Sequence, residues 1–500
     1  MDAPLFDRRH RDACLLLTSL TVVRYEHAFS RQPKLNIKSI AVLPLRNLSG
    51  DEAQDYFSDS MTDELITQLA KTSNLRVVSS GSTVRFKNTQ LSIPEMNRDL
   101  KVDAFVEGSV LRSGNDVRIT AQLIDATTDR HIWAEDYHGE LRDILLLQNN
   151  IAIAIANKVR GRITASADVQ SPQPKQVDPR AYDAYLKGRG YWFRSKNPGA
   201  NPDDLENSGV EYRRAIQYDP NFAPAYGGLA DYYGLMTGDR GIPAKKGWVL
   251  CEEAAQKALK LDESLGDAYH ALATKKMFYE WNWAEAEQEI KRGLDHDPRH
   301  AELHNIYSHL LAYRGRFDES IAEAHRAEDL DPLGERESVQ RALRFSRRFE
   351  PFLPAMEKTY SNDPARLHEG RAVVYQARKE YAKAVEEIDQ QLRLSERTAF
   401  ADLLRHAYST DGYQGWLQAQ LSDLNQHAEQ DHDSPLEFAK IYAAMGNTDK
   451  AMQYLERGYA EHDVELVRLQ LDPAYDDLHP DPRFRDLIRR IGLPENVGFH

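Results

Sequence analysis

The feature that most limits how this chain folds is an Asp-Pro step, or a near equivalent, recurring in its second half. It stands at Asp219-Pro220, Asp262-Glu263, Asp297-Pro298, Asp331-Pro332 and Asp363-Pro364, at successive spacings of 43, 35, 34 and 32. Proline cannot continue a helix, because it lacks the amide hydrogen and its ring clashes with the preceding turn. Each step therefore closes a helix, and the interval between steps holds a helix pair. One pair has too little apolar surface to fold alone, so neighbours must stack. Composition agrees: 41% of residues are hydrophobic yet mean hydropathy is −0.63, as for helices apolar on one side only.

A period near 34 is the tetratricopeptide length. Ala301–Pro332 fits that consensus without a gap, with Tyr307 and Leu311 on the first helix, Gly315 at its end and Phe317 in the turn. Ser320, Ala324 and Ala327 lie on the second helix. Leu367–Leu394 and Pro435–Tyr459 repeat the pattern. Small residues let two antiparallel helices approach, and large ones fill the space between them. Tyr269–Pro298 needs one inserted residue near Trp281-Asn282-Trp283, and Tyr226–Glu263 about nine around Thr237–Lys246. Ser338–Pro364 is degenerate, with Pro351 and Pro354 where its second helix begins, and Asp402–Glu429 is weaker still. Residues 181–500 are thus expected to form roughly eight helix pairs with a C-terminal cap.

Upstream the pattern changes. Ser39–Leu45 has strand length, Asn47–Asp51 makes a turn, and Phe57, Met61, Leu65, Ile66 and Leu69 line one helix face. Leu75–Ser79 reads as a strand, and Ser92-Ile93-Pro94-Glu95 as a capping box. Ala104–Arg112 and Asp116–Asp125 flank a hairpin turn at Ser113-Gly114-Asn115; His131–Tyr137 follows, then a helix over Leu141–Ile163. The expected fold is an α/β N-terminal domain at 38–165, of order βαβαβββα with a mixed sheet, then an all-α tetratricopeptide superhelix. Ser166–Arg180, rich in Ser, Gln and Pro, reads as a linker. Residues 1–37 read as a leader or remnant anchor. Ala13–Val23 is uncharged but only eleven residues long, where a membrane span needs about 20.

Several runs resemble a known family. Ser39-Ile40-Ala41-Val42-Leu43-Pro44, Asn47-Leu48-Ser49-Gly50-Asp51 and Tyr56-Phe57-Ser58-Asp59 resemble the TolB amino-terminal-like domain. Glu107-Gly108-Ser109-Val110, Arg118–Asp125 and Trp133-Ala134-Glu135 do the same, and Leu471-Asp472-Pro473 with Pro482-Arg483-Phe484 resembles that family's usual close. In many bacterial proteins this domain precedes tetratricopeptide repeats, behind a CadC-like DNA-binding domain, a class III adenylate cyclase or a kinase. Only 37 residues precede it here, so the resemblance implies a sensory or scaffolding role without an inherited output activity.

Chemistry is sparse. Cys14 and Cys251 make no disulfide framework or zinc site, and 78 acidic against 64 basic residues, net −14, disfavour nucleic acid and anionic lipid. His300-Ala301-Glu302-Leu303-His304 lacks the glutamate placement of a zinc helix, so packing is expected of His304. No catalytic residue, metal ligand or cofactor site is expected, and the chain reads as no enzyme. His10-Arg11-Asp12 has no kinase context.

Two candidate sites remain. The turn Asn47, Ser49, Gly50 and Asp51 joins a strand to a helix, a common ligand position, although a plain capping turn is the simpler reading. By repeat register, Asp231, His270, Thr274, Phe278, Asn305, His309, Tyr313 and Lys440 line the concave face, a mix suited to a peptide or protein segment. The expected role is an interaction or scaffold module in a bacterial regulatory system. The alternative is a ligand-sensing subunit controlling a separate output domain. The expected location is cytoplasmic, or periplasmic or membrane-anchored if residues 13–23 act as a weak anchor.

Overall fold

A computed structural model describes residues 37–51, 54–72, 75–159, 176–195, 201–237, 241–427 and 435–498. The Ala13–Val23 run, Cys14 and linker residues 166–175 lie outside them. Among the described residues no helix is long and apolar enough to cross a membrane.

The N-terminal unit is a mixed sheet with helices on both faces. Its strands are β1 (Ser39–Val42), β2 (Arg46–Asn47), β3 (Arg76–Val78), β4 (Ala104–Ser113), β5 (Asp116–Asp125) and β6 (His131–Glu140). The order is β3-β1-β4-β5-β6, with β1 parallel to β3 and β4, and β4, β5 and β6 antiparallel. Parallel pairing follows from the helical crossovers, and antiparallel pairing from the short turns. The expected strand Ser39–Leu45 stops at Val42, just before Pro44, which has no amide hydrogen to give a ladder. The backbone then rejoins the sheet as β2, so Asn47 pairs with Val110 and does not merely turn. Helix α1 (Asp55–Thr72) and α3 (Ile144–Val159) cover one face through Phe57, Met61, Leu65, Ile151 and Ile155. Helix α2 (Ile93–Leu100) covers the other with Ile93, Met96 and Leu100, and opens with the expected Ser92–Glu95 capping box.

The remainder is an all-α superhelix of paired helices. They are α4 (Pro179–Ser195) with α5 (Asp204–Tyr218), α6 (Ala223–Met236) with α7 (Ala244–Leu261), and α8 (Gly266–Phe278) with α9 (Trp283–His296). Next come α10 (Ala301–Tyr313) with α11 (Phe317–Leu330), α12 (Ser338–Phe345) with α13 (Phe349–Thr359), and α14 (Pro364–Ala377) with α15 (Tyr381–Leu394). The weak segment forms α16 (Thr398–His427), broken at Asp411 and Gly412, where Gly412 takes φ +62°. Then α17 (Pro435–Ala444) pairs with α18 (Thr448–Glu461). The Asp-Pro step does not always close a helix. Asp363 caps α14 by accepting from the Arg366 amide, and Pro364 is the first helical residue, where its missing N–H costs nothing.

Beyond α18 the chain turns back as 3₁₀ turns at Val464–Arg468 and Pro473–Leu478, then α19 (Pro482–Ile491). Leu466, Leu469, Tyr475, Phe484, Leu487 and Ile491 share one core with Met277, Trp283, Leu303 and Leu310 of the middle pairs. The Trp283 indole N–H donates to the Ile491 carbonyl at 2.8 Å, and Arg347 pairs with Asp476 at 2.6 Å. His462 stacks on Trp281 at 4.9 Å. The cap thus closes the superhelix on its own middle.

The α/β unit docks on the opposite rim. Near the start of the repeats, Tyr56 donates to Asp183 at 2.6 Å, Ser60 to the Leu186 carbonyl at 2.8 Å, and Tyr185 to Glu64 at 2.7 Å. Asp63 and Arg189 form an ion pair largely withdrawn from solvent. Further along, Arg76 donates to the Asp329 carbonyl at 2.7 Å, the Ser79 amide to the Leu330 carbonyl at 3.2 Å, and Ser82 to Asp331. These bonds cover the sheet edge at β3. Val177 is buried and its amide reaches the Arg142 carbonyl, so the last linker residues pack against the α/β unit.

Candidate binding face between the repeats and the alpha-beta unit

The first helices of successive pairs place their residues by the helical repeat. His270, Thr274 and Phe278 recur every four residues on α8, and Asn305, His309 and Tyr313 do so on α10. The structure brings most of them together. Asp231 Oδ1 lies 3.9 Å from His270 Nδ1, and the Thr274 hydroxyl donates to the His270 carbonyl at 2.8 Å. Asn305 accepts from Ser338 at 3.0 Å. His309 accepts from Arg341 at 2.9 Å; burial, with the charges of Arg341 and Arg468 beside it, holds its pKa well below the usual range, so it is neutral.

Others face the cap. Tyr313 is fully buried among Phe278, Trp283 and Phe345, with ring separations of 6.3, 6.2 and 5.7 Å. Lys440 stands apart on α17, 3.0 Å from Glu437 and 3.7 Å from Asp472 of the cap. Asp231, His270 and Thr274 keep solvent access; Tyr313 presents no surface to a partner in this arrangement.

The Asn47–Asp51 turn spends its polar groups on itself. The Asn47 amide donates to the Asp51 carbonyl and to Asp55, both at 2.9 Å, and Ser49 donates to Asn47 Oδ1 from its amide and its hydroxyl. Gly50 supplies the φ of +73° that the turn needs. The geometry is that of a self-bonded cap ahead of α1.

His304 uses both ring nitrogens, toward Glu323 at 2.6 Å and the Pro298 carbonyl at 3.0 Å. Trp281 and Trp283 pack against the cap.

Sequence reasoning missed the ionic chain beside the concave strip. Arg189 joins Asp63 to Asp267, which His300 meets at 3.0 Å; Glu302 lies 3.5 Å further along. Asp267 and Glu302 stand three residues before His270 and Asn305, so the repeat register carried a signal for both. Arg189 and Asp63, 126 residues apart, had none. Burial lowers the His300 pKa, but the hydrogen bond the ring donates to Asp267 and the charges of Glu302 and Asp267 outweigh it, raising the imidazole from 6.5 to about 9. The stability this contributes is fully present below pH 6.5 and is lost as pH rises through about 9. His300→Gln should therefore lower the urea midpoint more at pH 6 than at pH 10; an equal loss at both would contradict this.

Comparison with known proteins gives the following. The family model of the HilA/YgeH-like transcriptional regulator, second domain, matches residues 36–153. That span is the α/β unit, and its name differs from the expected TolB-like one. "Putative adenylate cyclase 3" of Rhizobium meliloti (strain 1021) is 37% identical over 199 residues, 40% of this chain and 33% of that protein. The chain thus spans about a third of that curated relative's length. Among solved structures, YrrB, described as a TPR protein with an unusual peptide-binding site, is 18% identical over 39% of this chain and 92% of its own, with TM-score 0.27. The human IFIT1 dimer with PPP-AAAA is 12% identical over 63% of this chain and 79% of its own, with TM-score 0.29. The α/β unit is therefore similar to the second domain of a transcriptional regulator, and 199 residues of the chain are similar to part of a curated cyclase.

Proposed function

We propose that this chain is a non-catalytic protein–protein interaction module of a bacterial regulatory system. In this reading the first helices α6, α8 and α10 hold a protein or peptide segment. One observation carries it: Asp231, His270 and Thr274 form a solvent-reaching polar strip, framed by the α/β unit on one rim and the cap on the other. Neighbouring first helices read an extended segment through side chains at fixed spacing. The domain limits 38–165 and 181–500 are part of the proposal. The test is capture from cell extract with the full chain and with His270→Trp and Thr274→Trp variants. A protein retained by the unaltered chain and lost by both variants supports the reading; equal retention refutes it.

A second reading is a ligand-sensing subunit acting on a separate output domain. Similarity to a regulator domain and to a cyclase favours a signalling role. The internally bonded Asn47–Asp51 turn favours the first reading for the binding site itself. Thermal stabilisation by a nucleotide, abolished in Ser49→Ala, would reverse that preference.

A further inference from the structure

We propose that the outer edge of β6 is a self-association surface, on which a second copy of this chain lays its own β6 antiparallel and joins the two sheets.

The edge is long and open. The strand order ends on β6, and among the described residues no strand pairs with its far side. The repeats cover the opposite edge at β3, whereas β6 runs for ten residues without a proline. Its backbone phase follows from two contacts. The Leu141 amide donates to the Asn115 carbonyl at 2.7 Å, just outside the pair Asp116–Glu140. That makes Asp116–Glu140 a non-hydrogen-bonded pair, so the N–H and C=O of Glu140 point away from β5. The tight turn agrees, because Asp116 closes it against Ser113 and turns its own groups toward β4. Alternation then aims the backbone of His138, Asp136 and Ala134 outward as well, and all four residues are exposed. The regular stretch ends there, since β5 skips Ile132 between its pairs with Trp133 and His131.

A row of outward backbone donors and acceptors is a template for another strand. The charges on this row favour its own copy. A two-fold axis through Tyr137 matches the whole stretch Ala134–Glu140 with itself. Asp136 of each copy then faces His138 of the other, Glu135 faces Gly139, and Ala134 faces Glu140. Moving the axis by one residue sets Asp136 against Asp136 or against Glu140, and like charges directly opposed are destabilising. Acids that would blunt an edge toward other strands thus select one register here. Neither acid enters the pairing uncompensated. Asp136 is held on the open face by Arg118 at 2.7 Å and Thr120 at 2.6 Å, and Glu140 lies 3.0 Å from Arg142. On the α3 face, half-buried Trp133 and Tyr137 carry the apolar layer out to this edge, so pairing continues it into the second copy.

The test is sedimentation velocity on the full chain over a concentration series, where a dimer is expected at the high end. His138→Pro removes an outward N–H and leaves the β5 ladder whole. It should weaken the dimer about tenfold or more at unchanged Tm. Cross-linking reads the register separately, in a Cys14→Ser, Cys251→Ala background. Tyr137→Cys should give a disulfide-linked dimer on mild oxidation, since Cα atoms opposed in a non-hydrogen-bonded pair lie about 4.5 Å apart. Glu135→Cys, which faces Gly139 and not itself, should not. A monomer at every concentration, a dimer indifferent to His138→Pro, or equal cross-linking by both cysteines would overturn the edge pairing. Should His138→Pro lower Tm, the two cysteine variants decide the matter alone.

Discussion

Replacing Phe484 by alanine is expected to destabilise the protein by about 3–5 kcal/mol, the cost of deleting a buried aromatic ring and leaving a cavity. Phe484 is 1% exposed, stacks on His479 at 5.4 Å and packs against Tyr475 at 6.3 Å. Its helix is held at the start by Asp481, which accepts from the Arg483 amide at 2.8 Å. Such a loss is a large part of the roughly 5–15 kcal/mol that separates folded from unfolded states. The effect should reach beyond the cap, because the same core includes Met277, Trp283 and Leu303. Urea denaturation followed by tryptophan fluorescence would register it, as Trp281 and Trp283 both lie against the cap. A change below about 1 kcal/mol would mean that the cap is not part of the core.

Asp63→Ala is expected to cost about 3–5 kcal/mol as well, for an electrostatic reason. Both partners of the Asp63–Arg189 pair are largely withdrawn from solvent, at 9% and 14% side-chain exposure. Removing Asp63 leaves Arg189 with Asp267 at 3.8 Å as its remaining carboxylate contact in this ionic chain. An under-compensated buried charge is costlier than a missing pair. The double variant Asp63→Ala with Arg189→Met should therefore recover much of the loss. The two singles and the double, unfolded in urea, form the cycle that checks this. If the double is as unstable as the sum of the singles, the pair is not coupled. Since the pair joins α1 to α4, Asp63→Ala should also speed proteolysis between the α/β unit and the repeats.

Much of the fold was legible in the residues themselves. The 34-residue period located the helix pairs, the alternation of Val117, Ile119, Ala121 and Leu123 located β5, and Ser92 with Glu95 located a helix start. These are local rules, satisfied within a few residues of chain. Where two rules competed, the sequence misled: Pro44 shortened the first strand, and Asn47 entered the sheet as well as the turn. Of the candidate face, register placed Asp231, His270 and Thr274 on first helices of their pairs but could not say that Tyr313 would be covered by the cap.

The sequence alone therefore determined the kind of unit, its repeat and its order along the chain, because periodicity, capping and proline placement act locally. Only the tertiary structure decided that the cap closes on α8–α10 and that the α/β unit seats on the facing rim. Those contacts join residues far apart in sequence, such as Trp283 with Ile491 and Ser82 with Asp331, which no local period encodes. Packing, not pattern, turned a stack of helix pairs into a framed polar strip.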